Sequence, residues 1–235
     1  YPIALLLIIV LFAALVYNFY KSTKMATQNK LWAGMAKETA HQIGTPLTSL
    51  VGWVEILKSE NVDESTTNEI EKDIERLQTI TERFSNIGSE PKLENKDIIE
   101  ETQKSYDYLQ SRFSKQIEFS FSGPSAPVIV LFNPTLHSWT IENLVKNAID
   151  AMKGRGKLAL EVIHDGGLVK INVSDTGSGI TKNQFKSVFE PGFTTKKRGW
   201  GLGLSLTKRI VEEYHRGTIK VLQSEIGKGT TMQLS

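Results

Sequence analysis

The chain has 235 residues, which fits one or two domains. Its 40% hydrophobic and 23% charged residues are ordinary globular composition, and a net charge of +2 gives no reason to expect a nucleic-acid partner. The absence of cysteine excludes a disulfide framework and a thiolate metal site, and makes a reducing compartment the natural home.

Every residue from Ile3 to Val16 is apolar, followed by Tyr17, Asn18, Phe19 and Tyr20, then Lys21, Lys24 and Lys30. Apolar length, an aromatic end and a lysine flank describe the C-terminal end of a membrane span over 1–20, with the lysines on the cytoplasmic side. A signal peptide would need a basic segment before the apolar run and a small-residue cleavage site after it, and neither is visible. Residues 21–59 read as one long helix, with apolar positions at Leu31, Met35, Leu47, Leu50, Val54 and Leu57 and an expected kink at Pro46. Ser59 to Asp63 is a polar turn. Ser65 to Ile87 is a second helix, with a heptad seam at Ile70, Ile74, Leu77, Thr81 and Phe84, widened by Ile80 and Ile87. A lone hairpin has too little core, so 21–90 is expected to dimerise into a four-helix bundle.

Gly88 to Lys92 is a boundary, and 91–235 follows a different pattern. A helix is expected over 97–112, with strands over 117–122 and 128–131. Asn133-Pro134 then opens a helix that runs to about Met152. Residues 158–164 and 168–175 form a strand pair around Asp165-Gly166-Gly167. A glycine-rich stretch, a helix from about Leu202 to Tyr214, and strands over 218–223 and 230–234 complete the chain. Helices mixed with antiparallel strands predict an α+β sandwich.

The residues that carry chemistry lie in this second part. Asp175-Thr176-Gly177-Ser178-Gly179 ends an apolar strand; the carboxylate can accept from an exocyclic amine, and the glycines let backbone approach a flat ligand. Gly199-Trp200-Gly201-Leu202-Gly203-Leu204 opens a helix, whose backbone N–H groups suit phosphate, but it lacks the Gly-Lys-Ser/Thr of a P-loop. Asn143 and Asn147, four apart, share a helix face, and amide oxygens are hard ligands suited to Mg²⁺ that bridges phosphates.

In order along the chain, Asn143 to Ala148, Asp175 to Gly179, Phe189 to Lys196 and Gly199 to Leu204 resemble the N, G1, F and G2 boxes of sensor histidine kinases, and Ala40 to Leu50 resembles their H box. The resemblance implies a Bergerat-type ATP-binding domain, shared with type II topoisomerases and heat-shock chaperone ATPases, behind a phosphoacceptor hairpin. It implies ATP and Mg²⁺, with Asn147 as the metal ligand, Asn143 and Asp150 beside it, and Asp175 on the adenine amine. Gly177 and Gly179 would shape the pocket. Phe189, Phe193, Thr194, Thr195 and Lys196 would flank the nucleotide, and Gly192 to Trp200 would form a short lid. Gly199, Gly201, Leu202, Gly203 and Leu204 would line the phosphates, and Thr230 matches a terminal Gly-x-Gly-Thr.

The resemblance makes His41 the phosphoacceptor; His137, His164 and His215 are read as having no part in the chemistry. Most of the family carries an acid after that histidine, thought to act as general base, where this chain has Gln42. Either a base is unnecessary or supplied elsewhere (Glu38 lies on the same side), or autophosphorylation is slow, or the chain acts mainly as a phosphatase. Thr45 matches the position that orients water for dephosphorylation. The expected partners are a second copy, a response-regulator receiver domain and membrane lipid. The expected location is a bacterial inner membrane, with the catalytic part in the cytoplasm. A nucleotide-driven switch that leaves no label on His41 is the rival from another class.

Overall fold

The computed structural model describes residues 2–60, 62–88, 91–113, 116–196 and 201–235, with side chains in the first two helices described outside 21, 24–40, 76, 79–80 and 82–88. It divides into two compact units, Tyr1–Glu90 and Pro91–Ser235.

The first unit is a helical hairpin. Helix α1 runs from Pro2 to Ser59 with Pro46 inside it, and α2 from Glu64 to Gly88. Its Pro2–Tyr20 portion is long and apolar enough to cross a membrane, and none of it is buried. Asp63 caps the turn into α2: its Oδ2 accepts from Ser65 Oγ at 2.6 Å and from Thr66 N at 3.0 Å. These bonds favour the carboxylate, Ser65 first, and hold its pKa below the ordinary value. Leu47, Val54 and Ile74 form a small buried contact between the helices, with Ile70 packed against it. By contrast Leu50, Trp53, Ile56 and Leu77 stay exposed, Trp53 at 60%. The expected seam is therefore divided: Ile74 turns toward α1 and Leu77 toward solvent. Seam positions Ile80, Phe84 and Ile87, and Leu31 and Met35 on α1, lie outside the described side chains.

The second unit is an α+β structure around a five-stranded sheet of order β2-β4-β5-β7-β6, comprising Ile117–Ser122, Gly156–Asp165, Leu168–Asp175, Gly229–Leu234 and Ile219–Glu225. Helices α3 (Ile98–Arg112) and α4 (Pro134–Ala151) contribute to its core, where Leu109, Leu136, Ile141, Leu158 and Leu160 are almost fully buried. The sheet is mixed rather than antiparallel throughout, since β2 runs parallel to β4. Chain direction explains this: β3 (Ile129–Phe132) and α4 intervene, and a helical crossover returns the chain in its original sense. Strand β1 (Glu94–Asp97) pairs antiparallel with β3 and has no counterpart in the sequence reading, because Glu-Asn-Lys-Asp has little strand propensity. The expected 202–214 helix is α-helical only over Gly203–Arg209 (α5) and continues as a π-turn, Ile210–Tyr214.

Two polar residues join these elements. Asp97 Oδ1 accepts from Ile99 N at 3.1 Å, capping α3, and from Val128 N at 3.0 Å, fastening the chain before β3. Asn133 caps α4 through Leu136 N at 2.9 Å, donates from Nδ2 to the Lys92 carbonyl at 2.9 Å, and donates its own N–H to His215 Nε2 at 3.2 Å. His137, on the first turn of α4, is buried with Nε2 2.9 Å from Thr102 Oγ1. The Thr102 hydroxyl donates to Ile98 O at 2.5 Å, so it accepts from the histidine and assigns the proton to Nε2. His215 Nε2 accepts, so that ring is protonated on Nδ1. Phe132 stands edge-on between the two rings.

His137 is buried and His215 partly buried, and both are neutral. Burial, aided by His215, lowers His137 to about 3, and burial lowers His215 to about 4, from 6.5. In the unfolded chain each takes a proton near 6.5, whereas in the fold each resists it. Stability is therefore fully present above that pH and falls below it, at about 1.4 kcal/mol per pH unit per histidine until the folded pKa is reached. The denaturation midpoint should fall from pH 6.5 to pH 5, and His137→Gln should flatten the slope. Equal slopes in wild type and variant would contradict this assignment.

Candidate functional site

The site grows from the C-terminal half of α4. Asn143, Asn147 and Asp150 succeed one another at helical spacing on one face. Asn143 Nδ2 is buried without a hydrogen-bond partner among the described residues. Asn147 Oδ1 accepts from Lys196 Nζ at 2.9 Å, and Asp150 Oδ2 from the same ammonium at 2.6 Å. Gly203, the first residue of α5, stands opposite. A Cβ there would lie 3.7 Å from Asn143 Oδ1 and 3.9 Å from Asn147 Nδ2.

One turn further, α4 meets the loop that leaves β5. A Cβ on Gly177 would stand 2.6 Å from the Ala151 carbonyl carbon, so only glycine lets the loop lie on the helix. Ser178 N donates to Ala151 O at 3.1 Å, and Gly227 N to Ser178 O at 2.8 Å. Ile180 N donates to Ser224 Oγ at 2.7 Å. Gly179, at φ +73°, passes the Glu225 carbonyl where a Cβ would have no room. Residues 175–180 are thus clamped between the end of α4 and the β6–β7 hairpin.

Asp175 is the last residue of β5. Its carboxylate accepts from Gly177 N at 2.7 Å and from the backbone N–H of Thr230, its register partner on β7. Burial raises its pKa, and the two backbone bonds oppose the rise. Thr230 is buried, with Oγ1 2.9 Å from Ser224 Oγ. A half-buried carboxylate beside a glycine-rich loop can accept from an amine on a planar ring.

The remaining candidates surround this cluster unevenly. Phe189 is buried, and Phe193 and Leu204 pack on the core, so all three support the site from beneath. Thr194 Oγ1 accepts from Lys196 N at 3.1 Å, and Thr195 is exposed. Gly201, at φ +66°, crosses Gly192: the Gly192 N–H donates to Gly201 O at 3.1 Å. Leu202 O accepts from Leu206 N at 2.9 Å as α5 begins. Lys197, Arg198, Gly199 and Trp200 lie outside the described residues. His41, Gln42 and Thr45 stand on α1 in the other unit, all exposed, with Thr45 Oγ1 donating to His41 O at 3.3 Å. Glu38 lies outside the described side chains.

Motif reading did not reach Ala151 and Ser224, which hold the loop, and it placed Gly229 in the terminal Gly-x-Gly-Thr without its contact; a Cβ on Gly229 would strike the Asp175 carbonyl. Nor did it reach the bond between Lys196 and Asp150, 46 residues apart.

The residues suit a nucleotide. Asp175 offers an acceptor for a base, Asn143 a donor unused among the described residues, and Asn147 and Asp150 oxygens that already face a cation, the Lys196 ammonium. Among the described residues no cluster of three His, Cys, Asp or Glu could hold a metal by itself. A hard cation here would need phosphate or water oxygens to complete its shell.

Comparison with known proteins agrees. Residues 32–92 match the family described as "His Kinase A (phospho-acceptor) domain", and residues 136–235 match "Histidine kinase-, DNA gyrase B-, and HSP90-like ATPase". Sporulation kinase E of Bacillus subtilis is 30% identical over 92% of this chain and 29% of its own length. Sensor histidine kinase ZraS of Escherichia coli is 30% identical over 85% of this chain and 44% of its own length. The chain thus spans less than half of these curated relatives. Among solved structures, the catalytic domain of histidine kinase ThkA is similar over 60% of this chain and 93% of that domain, with TM-score 0.55 and 27% identity. A complex of ThkA with the response regulator TrrA matches over 93% of this chain and 65% of the kinase chain, with TM-score 0.58 and 24% identity, a likeness of fold. With both family models matched in order across most of its length, and with kinases of this class as its relatives, the chain belongs to the sensor histidine kinases of two-component systems.

Proposed function

We propose that this protein transfers the γ-phosphoryl group of ATP to its own His41 and from there to an aspartate on a response-regulator receiver domain. The supporting observation is that one helix gathers the site. Asn143 and Asn147 of α4 face Gly203, and Ala151 of the same helix seats Gly177 beside Asp175. Asp175 accepts from the adenine amine, with Thr230 and Gly177 N–H groups holding its carboxylate in place. The Asn143 amide and the backbone N–H groups of Gly201 and Gly203 meet the phosphates. Mg²⁺, held through Asn147 with Asp150 beside it, would offset phosphate charge.

His41 acts from the hairpin. A neutral imidazole nitrogen is nucleophilic near neutral pH without further activation. It bonds to the γ-phosphorus as the bond to the ADP oxygen breaks, and its ring proton leaves. Gln42 cannot take that proton, so the reaction relies on positioning and electrostatics, as phosphoryl transfer commonly does. Gln42 and Thr45 both present polar groups beside His41, which supports a second activity, hydrolysis of the phosphorylated regulator. The exposed face with Leu50, Trp53, Ile56 and Leu77 supports a homodimeric four-helix bundle over 21–90. The 1–20 helix would then anchor the dimer in the lipid of a bacterial inner membrane, with 91–235 catalytic in the cytoplasm.

Three measurements test this reading. Labelling of the detergent-solubilised chain with γ-labelled ATP and Mg²⁺ should give acid-labile, base-stable phosphate that is absent from His41→Gln. Nucleotide binding without label would favour the phosphatase or switch reading. Asp175→Asn should weaken nucleotide binding by at least about tenfold, the order of one charge-assisted hydrogen bond, and unchanged affinity would remove it from the site. Leu50→Arg should halve the mass seen in light scattering, because a charge would enter the apolar dimer face; a wild-type chain that is already monomeric would end the bundle reading.

A further inference from the structure

Lys196 lies in the loop before α5, yet its ammonium lies on α4. It is 2.9 Å from Asn147 Oδ1 and 2.6 Å from Asp150 Oδ2. Lys146, adjacent in sequence to Asn147, is drawn instead to Glu142 at 2.6 Å. The charge at Asn147 and Asp150 is therefore delivered from 46 residues beyond Asp150. The pair is half exposed, at 43% and 55%, so it adds little to the stability of the fold. Its effect is local: it places a compact positive charge on oxygens that would otherwise face a metal.

We propose that Lys196 is a resident counter-ion of the nucleotide site. Without nucleotide it neutralises the Asp150 carboxylate and occupies the Asn147 amide oxygen. A metal–nucleotide complex then enters by exchanging one cation for another, whereas nucleotide without metal is received on the lysine itself. The inference rests on the reading of this cluster as a nucleotide site.

Three features carry it. Asn147 Oδ1, the oxygen expected to meet the metal, is the atom the ammonium holds. An ammonium has three N–H donors, and these two contacts use two of them, so an anion can be addressed by the third. One turn before Asn147, Asn143 Nδ2 is buried without a partner among the described residues, and glycine rather than a larger residue stands opposite at 203. Phosphate oxygens placed there would meet an unused donor and the lysine together. The site thus offers nucleotide two donors before any metal arrives, at the expense of a contact that the metal must displace.

The test is the metal dependence of binding. The full chain in detergent is titrated with a fluorescent ATP analogue, once in excess Mg²⁺ and once in EDTA. In wild type the two dissociation constants should be close. In Lys196→Met the ratio of the EDTA value to the Mg²⁺ value should rise about tenfold, because metal-free nucleotide loses the ammonium held at Asn147 and Asp150 while the metal complex no longer displaces it. An unchanged ratio overturns the proposal in either of its forms: both affinities unaltered would make the contact a surface ornament, and both lowered alike would make Lys196 an ordinary phosphate contact. Thermal unfolding without nucleotide should be the same in both proteins, showing that the fold is intact. A wild type that binds in neither buffer would remove the nucleotide reading itself, and this inference with it.

Discussion

The candidate site depends on the close approach of Gly177 to the last turn of α4. The loop after β5 can lie on the helix only because residue 177 has no side chain. That contact sets the distance between Asp175, at the end of the sheet, and the Asn143–Asn147 face on the helix. The β6–β7 hairpin completes the clamp through Ser224, Gly227 and Gly229. A loop held on both sides loses little further freedom when a ligand binds, which is how a glycine-rich segment can be a precise surface.

Polar residues with two tasks hold the frame behind it. Asp97 both caps α3 and fastens Val128; Asn133 both caps α4 and holds the carbonyl of Lys92, just inside the unit boundary. His215 accepts from Asn133 at the far end of the π-turn that follows α5. The start of the unit, the start of α4 and the end of the last helical segment therefore share one hydrogen-bonded node. Its histidines act through burial and tautomer, not through exchange of protons at neutral pH.

The two units use apolar surface in opposite ways. The second buries a full core between its helices and sheet. The hairpin buries Leu47, Val54 and Ile74 and leaves Leu50, Trp53, Ile56 and Leu77 outside. An apolar stripe of that extent on two helices suits packing against other helices, and Pro2–Tyr20 is long and apolar enough to cross a membrane.

Periodicity and punctuation in the sequence determined most of the elements. Asn133-Pro134 set the start of α4, and Asp165-Gly166-Gly167 the turn between β4 and β5, because caps and turns are local interactions between near neighbours. The order of the glycine and asparagine segments identified the family, since each segment reflects a local backbone or ligand requirement. Strand β1, the parallel pairing of β2 with β4 and the π-turn after α5 were decided only by the fold: the first has polar residues that pair because β3 lies beside them, and the others depend on crossover and packing. The contacts of Lys196 with Asn147 and Asp150, and of Gly177 with Ala151, likewise join residues far apart in the chain. No spacing in a sequence encodes such pairs, because the distance that matters is set by how α4 packs on the sheet.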